Sequence, residues 1–351
     1  MENKVISIAN RIIGSAQPCF IIGEAGVNHN GSLDLARQLI DIAVGAGCDA
    51  VKFQTFKSEK VCSPFASKAA YQLETTGHAE SQLEMARKLE LPFEAFRELH
   101  HYCGEKNILF LSTPFDSESA TFLVELPVPA LKVPSGELTN LPFLENLAGN
   151  GLPLVVSTGM ATMEEIATAL EVIRAAGDPP LMLLHCVSNY PAAPASMNLR
   201  AMRTLEDKFA VPAGLSDHTV GIEISLAAAA LGACVIEKHF TVSRDLPGPD
   251  HRASLVPDEL ASLVKGVRKV EAALGDGIKR PVPAEFDTAA VARRSLVAAC
   301  LIPAGTVLTV EMVAILRPGT GLPPAMRSQV LGRRALQEIE PGAILSLDML
   351  A

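Results

Sequence analysis

The sequence predicts a parallel α/β barrel followed by a small β-rich domain. A short apolar run followed by a longer amphipathic segment occurs eight times between Phe20 and Leu274. Eight alternations of strand and helix are typical of a closed (β/α)8 TIM barrel, although a doubly wound open sheet also alternates in this way. The residues from 291 onward differ in charge and in repeat pattern. We therefore predict a barrel over residues 1–278, a linker over 279–290 and a second domain over 291–351.

The short apolar runs are the predicted strands, because each is bounded by polar residues and has the length of a buried strand. In chain order the runs are Phe20 to Gly23, Ala50 to Phe53, Ile108 to Leu111, Ala130 to Val133, Leu154 to Val156, Leu181 to Leu184, Val211 to Leu215 and Ala233 to Ile236.

The amphipathic segments between and after these runs are the predicted helices. They are Leu33 to Ala46, Pro92 to Lys106, Ser117 to Leu126, Leu141 to Ala148, Met163 to Ala176, Asn198 to Lys208, Gly221 to Leu231 and Asp258 to Leu274. The connection after the second strand, from Lys57 to about Leu91, is far longer than a usual βα loop and contains helix-like patches. We expect it to form a lid or an interface.

Composition excludes several classes of function. A chain of 351 residues with 48% hydrophobic residues can build a large core, and its net charge of −9 disfavours a nucleic-acid partner. The seven cysteines are odd in number and scattered, which predicts neither a disulfide framework nor a thiolate metal site. Residues 1–20 lack the apolar core of a signal peptide, and Ile224 to Ile236 is shorter than the ~20 residues of a membrane span. We expect a cytoplasmic protein with no membrane role.

The C-terminal part has its own charge and its own repeat. Residues 291–351 contain six Arg, no Lys and four acidic residues, a net charge of +2 in a protein that is otherwise acidic. Ile302 to Met312 aligns with Ile339 to Met349, and each copy predicts a turn followed by a short strand or a helix start. Between the copies, Leu316 to Gly321 predicts an exposed loop around Arg317. These features indicate a compact binding or docking module.

Ionisable or hydroxyl side chains stand at or just beyond nearly every predicted strand. They are Glu24, Lys52, Gln54, Ser112, Thr113, Lys132, Ser135, Ser157, Thr158, His185, Ser216, Asp217, His218, Glu237, Lys238 and His239. In a parallel barrel the chemistry takes place at the carboxyl ends of the strands. The sequence therefore predicts one active site that these residues share.

Two histidines in this set predict a metal site. His218 and His239 each follow an apolar run, and neighbouring parallel strands would bring them side by side. Each of them alone could be an ordinary polar residue at a strand end. Together they lie among other ionisable groups, and two imidazoles leave a divalent cation open positions for water or substrate. This arrangement suits Lewis-acid chemistry.

Two lysines predict an anion site. Lys52 and Lys132 lie inside apolar strands, where an unpaired ammonium is costly. Hydroxyls that could donate to the same anion are those of Thr113, Ser135, Ser157 and Ser216, and the combination describes a phosphate site. Two alternatives remain open: Lys132 could form a Schiff base as in barrel aldolases, or Glu24 and Glu237 could neutralise both lysines.

Three further residues complete the predicted site. Glu24, at the end of the first strand, is a candidate general acid or base, or else a structural partner of Lys52. Tyr190 and Asp250 lie on loops after the sixth and eighth strands and could bind a polyhydroxylated ligand. From the residues alone we infer an enzyme that acts on a phosphorylated metabolite and a carbonyl compound.

Ordered motifs along the chain support a family resemblance. They are Glu24-Ala-Gly-Val-Asn-His-Asn-Gly31, Val51-Lys-Phe-Gln-Thr55, Ser112-Thr-Pro-Phe115, Lys132-Val-Pro-Ser-Gly-Glu137, Ser157-Thr-Gly-Met160, Ser216-Asp-His218, Glu237-Lys-His-Phe-Thr241 and Gly248-Pro-Asp-His251. This series closely resembles the sialic acid synthase family. Ala292-Arg-Arg-Ser-Leu296 and Arg317-Pro-Gly-Thr-Gly321 resemble that family's antifreeze-like (SAF) domain.

The resemblance implies a condensation of phosphoenolpyruvate with N-acetylmannosamine to give N-acetylneuraminate. C3 of phosphoenolpyruvate attacks the open-chain aldehyde, water adds to C2, and phosphate leaves with C–O cleavage. The resemblance places a divalent metal on His218 and His239, most often Mn2+, with Mg2+ or Co2+ as alternatives. Glu24 would handle the proton or water chemistry.

The resemblance also implies which residues bind each substrate. The phosphoenolpyruvate ligands would be Lys52, Thr113, Lys132, Ser135, Ser157 and Ser216. The sugar ligands would be Gln54, Phe115, Ser188, Tyr190 and Asp250, together with Arg317 from the partner's tail in a domain-swapped homodimer. Ser188 stands where some family members have Asn, two residues before the Tyr, and Asn189 is next to it.

Other functions remain open at this point. Legionaminic and pseudaminic acid synthases share the same core and use diacetamido-trideoxyhexoses, and a third type makes N-acylneuraminate 9-phosphate from a 6-phosphate. A Schiff-base lyase on the same barrel is a further enzymatic alternative. A catalytically silent carbohydrate-binding protein is the non-enzymatic one.

Overall fold

The computed structural model describes residues 4–351 and contains two compact units. The first unit ends at Gly275, and the second spans Asp276–Ala351. Within the described residues no helix is both long enough and apolar enough to cross a membrane.

Between residues 4 and 275 the first unit contains ten strands. They are β1 Val5–Ile8, β2 Arg11–Gly14, β3 Phe20–Gly26, β4 Ala50–Thr55, β5 Leu109–Pro114, β6 Leu131–Val133, β7 Leu154–Ser157, β8 Leu181–Cys186, β9 Ala213–Asp217 and β10 Val235–His239. Strands β3 to β10 are parallel to their neighbours and form a closed barrel in which β10 pairs with both β9 and β3. The closed barrel is confirmed, and the open sheet is excluded.

Several barrel strands extend further into polar sequence than predicted. Strand β4 reaches Thr55 and β10 reaches His239, although the apolar runs end at Phe53 and Ile236. The backbone ladder continues because the neighbouring strands also continue, as in the pairing of His239 with Glu24. The extension is what holds the polar side chains on rigid strands.

The N-terminal hairpin of β1 and β2 was not predicted. The two strands pair in antiparallel fashion, and Ile8 and Ile13 are 0% and 1% exposed. They pack in one apolar cluster with residues inside the barrel, including Phe20, Val155 and Met182. Each such isoleucine contributes roughly 1.5–3 kcal/mol of burial free energy. The hairpin does not occupy the carboxyl end of the barrel, where the polar residues lie.

The described part of the first unit contains eleven α-helices. They are α1 Leu33–Ala46, α2 Ser58–Val61, α3 Ala70–Thr76, α4 Gln82–Leu89, α5 Phe93–Glu105, α6 Ser117–Glu125, α7 Leu141–Ala148, α8 Met163–Ala176, α9 Ala201–Phe209, α10 Glu223–Ala230 and α11 Pro257–Leu274. Helices α1, α7 and α8 have the predicted bounds. Ser32 and Thr162 cap α1 and α8 by accepting hydrogen bonds from backbone N–H groups in the first turn.

Helices α2, α3 and α4 form the long insertion after β4. An apolar cluster with members on α4, among them Leu83, Met85 and Leu89, also contains Val27 and Phe56 from the barrel loops. The buried Lys68 ammonium lies 3.1 Å from Glu80 and donates to Thr76, which ties the segments between these short helices together. The insertion is therefore packed onto the barrel at several points.

The second unit is β-rich and has its own apolar core. Its elements are α12 Phe286–Ala292, β11 Ser295–Ala298, β12 Val313–Leu316 and α13 Arg327–Val330. The two copies of the internal repeat pair with each other through a bridge between Ile302 and Ile339. Each copy ends in a 3-10 turn, at Val310–Met312 and at Leu347–Met349.

Candidate active site

A cavity of about 420 Å3 lies at the carboxyl end of the barrel strands. Its volume is within the ~300–1,000 Å3 of small-molecule sites. The predicted site residues that line it are Glu24, Lys52, Gln54, Thr113, Phe115, Lys132, Ser135, Ser157, Ser188, Tyr190, Ser216, His218, His239 and Asp250. Arg317 is the exception, since it lies in the second unit.

Strand geometry explains why these residues meet. Alternate residues of a strand point to opposite sides, so Lys52 and Gln54 of β4 enter the cavity while Phe53 packs in the outer apolar layer. Glu24 of β3 is the direct pairing partner of Lys52. Neighbouring parallel strands thus place a carboxylate beside an ammonium at the same level of the barrel.

Four buried charges form the part of the cavity that we call the floor: Glu24, Lys52, Lys132 and Glu237. The Lys52 ammonium lies 2.7 Å from Glu24 and 3.7 Å from Glu237, and the Lys132 ammonium lies 3.9 Å from Glu237. All four side chains are at most 6% exposed. Two ammonium groups face two carboxyl groups, so the structure contains the neutralised arrangement that the sequence left open.

Hydroxyl groups surround this floor. Lys52 donates to Thr113 Oγ1 at 2.9 Å, and Lys132 donates to Ser157 Oγ at 2.6 Å. Ser216 Oγ donates to Glu237 Oε1 at 2.9 Å. The backbone N–H of Gly159 donates to Ser135 Oγ at 2.9 Å. The floor and the hydroxyl groups around it thus provide ammonium and hydroxyl donors, which are the groups that bind phosphate and carboxylate oxygens.

Burial sets the protonation of the floor. It raises the pKa of Glu24 to about 7, although the nearby Lys52 ammonium opposes the rise. Burial also acts to raise the pKa of Glu237, but Lys132 and Lys52 outweigh it and hold that pKa below its usual value. Burial lowers the pKa of Lys132. The two carboxyl groups therefore differ: Glu237 stays ionised, while Glu24 can exchange a proton near neutral pH.

His218 and His239 face each other with ring centroids 5.5 Å apart. His218 Nδ1 lies 2.8 Å from the Val187 carbonyl, to which it can donate, and this leaves Nε2 as a lone-pair donor. His239 Nδ1 is buried without a hydrogen-bond partner in the described structure. Burial and then the nearby positive charges lower the pKa of His239, which keeps the ring neutral.

These features fit a divalent metal ion with two imidazole ligands. Residues 4–351 contain no group of three or more His, Cys, Asp or Glu side chains placed to hold an ion. A metal here would have the two histidines as its protein ligands. Its other positions would go to water or substrate, as expected for a catalytic rather than a structural site.

Tyr190 covers the two histidines. Its ring centroid lies 4.0 Å from that of His218 and 5.7 Å from that of His239. Tyr71, from α3 of the insertion, packs on the other side at 5.0 Å. Asp250 is buried on a neighbouring loop, and burial raises its pKa to about 6. These groups form the half of the cavity in which the sequence predicts the sugar.

The insertion supplies a second surface, which we call the wall: Val61, Cys62, Tyr71, Gln72, Gln82, Met85 and Leu89. Its helices were predicted only as patches, and none of these residues was a predicted site residue. The wall is largely apolar, with two amides and one phenol as its polar groups. It differs from the floor in origin and in chemistry.

Two further cavity residues were missed or underrated from the sequence. Cys186 Sγ lies 3.7 Å from His218 Nδ1, and although burial acts to raise the pKa of Cys186, the contact with His218 lowers it. Its position at the end of β8 was a usable signal, but its apolar character concealed it. Glu237, considered only as a partner of the lysines, is at the centre of the floor.

Some polar residues at strand ends do not enter the cavity. His185 points outward, with Nε2 2.5 Å from the Met197 carbonyl, because it alternates with the inward Cys186. Asp217 and Lys238 also face outward, one residue before His218 and His239. The expectation that all polar residues at strand ends share one site is wrong for these three and also for Ser112 and Thr158, which do not line the cavity.

Comparison with known proteins gives a consistent result. A family model described as the NeuB family matches residues 39–279, and one described as the SAF domain matches residues 293–351. An N,N′-diacetyllegionaminic acid synthase of Legionella pneumophila is 44% identical, over 95% of this chain and 94% of its own. A synthase of the same name from Campylobacter jejuni is 46% identical, over 93% of this chain and 98% of its own.

A solved structure gives the same fold. The N-acetylneuraminic acid (sialic acid) synthetase of Leptospira borgpetersenii serovar Hardjo-bovis matches with a TM-score of 0.72 and 38% sequence identity. The match covers 82% of this chain and 95% of that one.

Proposed function

The chain belongs to the NeuB family, and we propose from this premise that it condenses phosphoenolpyruvate with 2,4-diacetamido-2,4,6-trideoxymannose to give N,N′-diacetyllegionaminate and phosphate. It is an enzyme of the phosphoenolpyruvate-dependent class that forms a carbon–carbon bond. The particular sugar is a revision, because N-acetylmannosamine was the leading expectation from the sequence. The observation that carries the revision is the apolar wall, together with the names of the relatives at 44% and 46% identity.

The wall discriminates among the three candidate sugars. The trideoxy sugar has a methyl group at C6, where N-acetylmannosamine has a hydroxyl group and its 6-phosphate has a dianion. Val61, Met85 and Leu89 offer a methyl group apolar contact, whereas a phosphate against them would lose water without gaining a cation. In the described structure the ammonium groups lining the cavity are those of Lys52 and Lys132, both on the floor.

The second acetamido group also has partners on the wall. An acetamido group has one N–H donor and one carbonyl acceptor, and the side-chain amides of Gln72 and Gln82 can pair with both. N-acetylmannosamine has a hydroxyl group in place of the 4-acetamido group. The two glutamines thus support a diacetamido substrate.

We assign phosphoenolpyruvate to the floor. Lys52 and Lys132 would bind its phosphate and carboxylate, with Thr113, Ser135, Ser157 and Ser216 as hydroxyl donors. The phosphate and carboxylate of the substrate would then join Glu24 and Glu237 as partners of the two lysines. The floor also holds the enol ester in one orientation, which makes C3 face the sugar half.

We assign the aldehyde to the half of the cavity with His218 and His239. A divalent metal on these imidazoles, with Mn2+ as the first candidate, supplies Lewis-acid polarisation of the aldehyde oxygen. Tyr190 orients the chain of the sugar, and Gln54, Phe115, Ser188 and Asp250 line its remaining surface. The roles of Arg317 and of a domain-swapped dimer stay predictions.

The bond changes balance with one water molecule. C3 of phosphoenolpyruvate forms a bond to the aldehyde carbon, and the aldehyde oxygen gains a proton to become a hydroxyl group. Water adds to C2 and loses one proton, which balances the proton gained by the aldehyde oxygen. The C2–O bond to the phosphoryl group then breaks, the remaining C2 hydroxyl gives its proton to the departing phosphate, and a 2-keto acid is left. Glu24, next to Lys52, is the residue that we assign to proton transfer to or from this water.

The test uses the full chain, Mn2+, the trideoxy sugar and phosphoenolpyruvate labelled with 18O in the bridging C–O–P position. We expect stoichiometric release of phosphate that contains the label, and a product with the mass of N,N′-diacetyllegionaminate. Absence of phosphate release with this sugar overturns the proposed substrate. Label retained in the organic product overturns the C–O cleavage.

A further inference from the structure

An ion pair outside the cavity joins the segments that carry the two histidines. Asp217 and Lys238 each precede a histidine by one residue, and they are direct pairing partners on β9 and β10. Lys238 Nζ lies 2.9 Å from Asp217 Oδ2, and the side chains are 1% and 0% exposed. Neither side chain lines the cavity.

We propose that Asp217 and Lys238 are positioning residues that set the distance between His218 and His239 for a divalent metal ion. The inference rests on the metal site of the proposed function. The alternation of side chains along a strand supports this inference. A residue whose side chain faces outward fixes the backbone, and the side chain of the next residue faces inward.

Asp217 fixes the backbone on both sides of His218. Its Oδ1 accepts hydrogen bonds from the backbone N–H and the hydroxyl group of Thr219, both at 2.8 Å. Its Oδ2 accepts from Ser225 Oγ at 2.6 Å, on helix α10. His218 is thus the middle residue of a turn closed by the carboxylate, which fixes the backbone that carries its imidazole.

Lys238 extends this network to the second histidine. Its ammonium also donates to the Thr219 carbonyl at 2.5 Å, so it contacts the residues before and after His218. On its own strand it is followed by His239, whose carbonyl accepts from the N–H of Leu255 at 2.9 Å. The backbone segments that carry the two imidazoles are therefore connected through a short path of buried, charge-assisted hydrogen bonds.

Metal binding depends on this kind of support. Metal–imidazole bonds have a narrow length range, and outer partners that orient the ligands typically change metal affinity by ~10–100-fold. A site with two protein ligands is more exposed to such effects than one with four, because each imidazole carries a larger share of the binding. A pair that only neutralised charge in the outer layer would not affect the affinity in this way.

The experiment measures the dissociation constant of Mn2+ by the electron paramagnetic resonance signal of the free ion, with the full chain and no substrate. The first variant, Ser225→Ala, removes one hydrogen bond to Asp217 and leaves both charges. We expect Mn2+ binding about fivefold weaker, the equivalent of one hydrogen bond. Its matched control is Ser119→Ala, since Ser119 Oγ is also buried and donates to an aspartate, Asp116, at 2.7 Å.

The second variant is the double substitution Asp217→Asn with Lys238→Met, which removes both charges together. Replacement of a whole buried ion pair by uncharged residues is often tolerated. We expect the urea midpoint to stay near that of the wild type, and Mn2+ affinity to fall about 10–100-fold. A structural role alone would not separate these two readouts.

The outcomes separate the inference from the metal site itself. Wild-type Mn2+ binding that His239→Ala leaves unchanged overturns the proposed metal site, and the inference with it. If His239→Ala abolishes Mn2+ binding but Ser225→Ala weakens it no more than Ser119→Ala does, the inference alone is overturned. If the double variant does not fold, the comparison of the two serine variants decides.

Discussion

The floor and the wall of the cavity differ in charge, in polarity and in the elements that carry their side chains. The floor consists of side chains on four barrel strands, and its four charges lie within 3.9 Å of a partner. The wall consists mainly of side chains from the short helices α3 and α4 and the segments beside them, and it is largely apolar. One surface is rigid and charged, whereas the other depends on the packing of an inserted segment.

The difference indicates a division of labour. Charge stabilisation and proton transfer require groups held in place before the substrate arrives, and barrel strands provide this rigidity. Selection among sugars that differ at C4 and C6 requires shape and apolar contact, and an inserted segment can change these without disturbing the strands. On this account the floor determines the reaction, and the wall determines which amino sugar takes part.

Removal of a floor charge should have the largest effect. Lys132→Met leaves Glu24 and Glu237 with one ammonium between them and takes a cation from phosphoenolpyruvate. We expect kcat/KM for phosphoenolpyruvate to fall about 10²–10³-fold, measured by phosphate release. The matched control is Lys68→Met, another buried lysine but one in the insertion, which should alter KM for the sugar and leave that for phosphoenolpyruvate within about twofold. Equal effects of both variants would contradict the division.

Removal of the metal should have the next largest effect. Treatment with EDTA should lower the rate of phosphate release by at least about 100-fold, because Lewis-acid polarisation contributes several kcal/mol. Added Mn2+ should restore it. Equilibrium dialysis with labelled phosphoenolpyruvate provides the contrast, since the floor should bind this substrate in the presence of EDTA. A fully active EDTA-treated enzyme would contradict the assignment of the two histidines.

A change in the wall should have a smaller and more selective effect. Met85→Ala removes apolar contact from the surface that we assign to the C6 methyl group. We expect KM for the trideoxy sugar to rise about tenfold with little change in kcat, and KM for phosphoenolpyruvate to stay constant. Met85→Leu conserves volume and should stay within about twofold of the wild type. A change in KM for phosphoenolpyruvate would show that floor and wall are not independent.

Acid should lower the stability of the segment that connects the floor to the wall. The loop after Glu24 contributes Val27 to the apolar cluster of the insertion and then His29, whose pKa burial lowers to about 4 from 6.5. Since the unfolded chain binds more protons between these two values, stability should fall as the pH falls through this window.

At pH 5.5 the expected loss from His29 is about 1 kcal/mol relative to pH 7.5. Urea unfolding of the metal-free protein at both pH values measures it. The backbone N–H of Gly31 donates a hydrogen bond to His29 Nδ1 at 3.1 Å. The variant His29→Gln keeps an acceptor for this N–H. This variant should lose about 1 kcal/mol less on acidification, and an equal loss would contradict the account.

The floor could be predicted from the sequence because its side chains lie at the ends of barrel strands. Lys52 and Lys132 stand out as charges in apolar runs, and parallel strands bring such residues to one edge. What the sequence could not give was the choice between a bound anion and a carboxylate as their partner. The structure places Glu24 and Glu237 beside them because pairing puts Glu24 opposite Lys52 and brings Glu237 onto the adjacent strand.

The rest depended on tertiary contacts that leave weak sequence signals. The wall comes from short helices whose stability derives from packing, so no periodicity identified Met85 or Gln72 as lining residues. The hairpin of β1 and β2 has only four residues in each strand, which is too short a stretch for a clear alternation of apolar and polar residues. His185 was placed in the site because polarity marks a strand end without showing which way a side chain points.

The most direct test of the account is a competition between sugars. Equal concentrations of 2,4-diacetamido-2,4,6-trideoxymannose, N-acetylmannosamine and N-acetylmannosamine 6-phosphate are mixed with the wild-type chain, Mn2+ and limiting phosphoenolpyruvate. The product ratio, measured by mass spectrometry, equals the ratio of the kcat/KM values for the sugars. We expect N,N′-diacetyllegionaminate to predominate by at least about tenfold. Predominance of N-acetylneuraminate or of its 9-phosphate would contradict it.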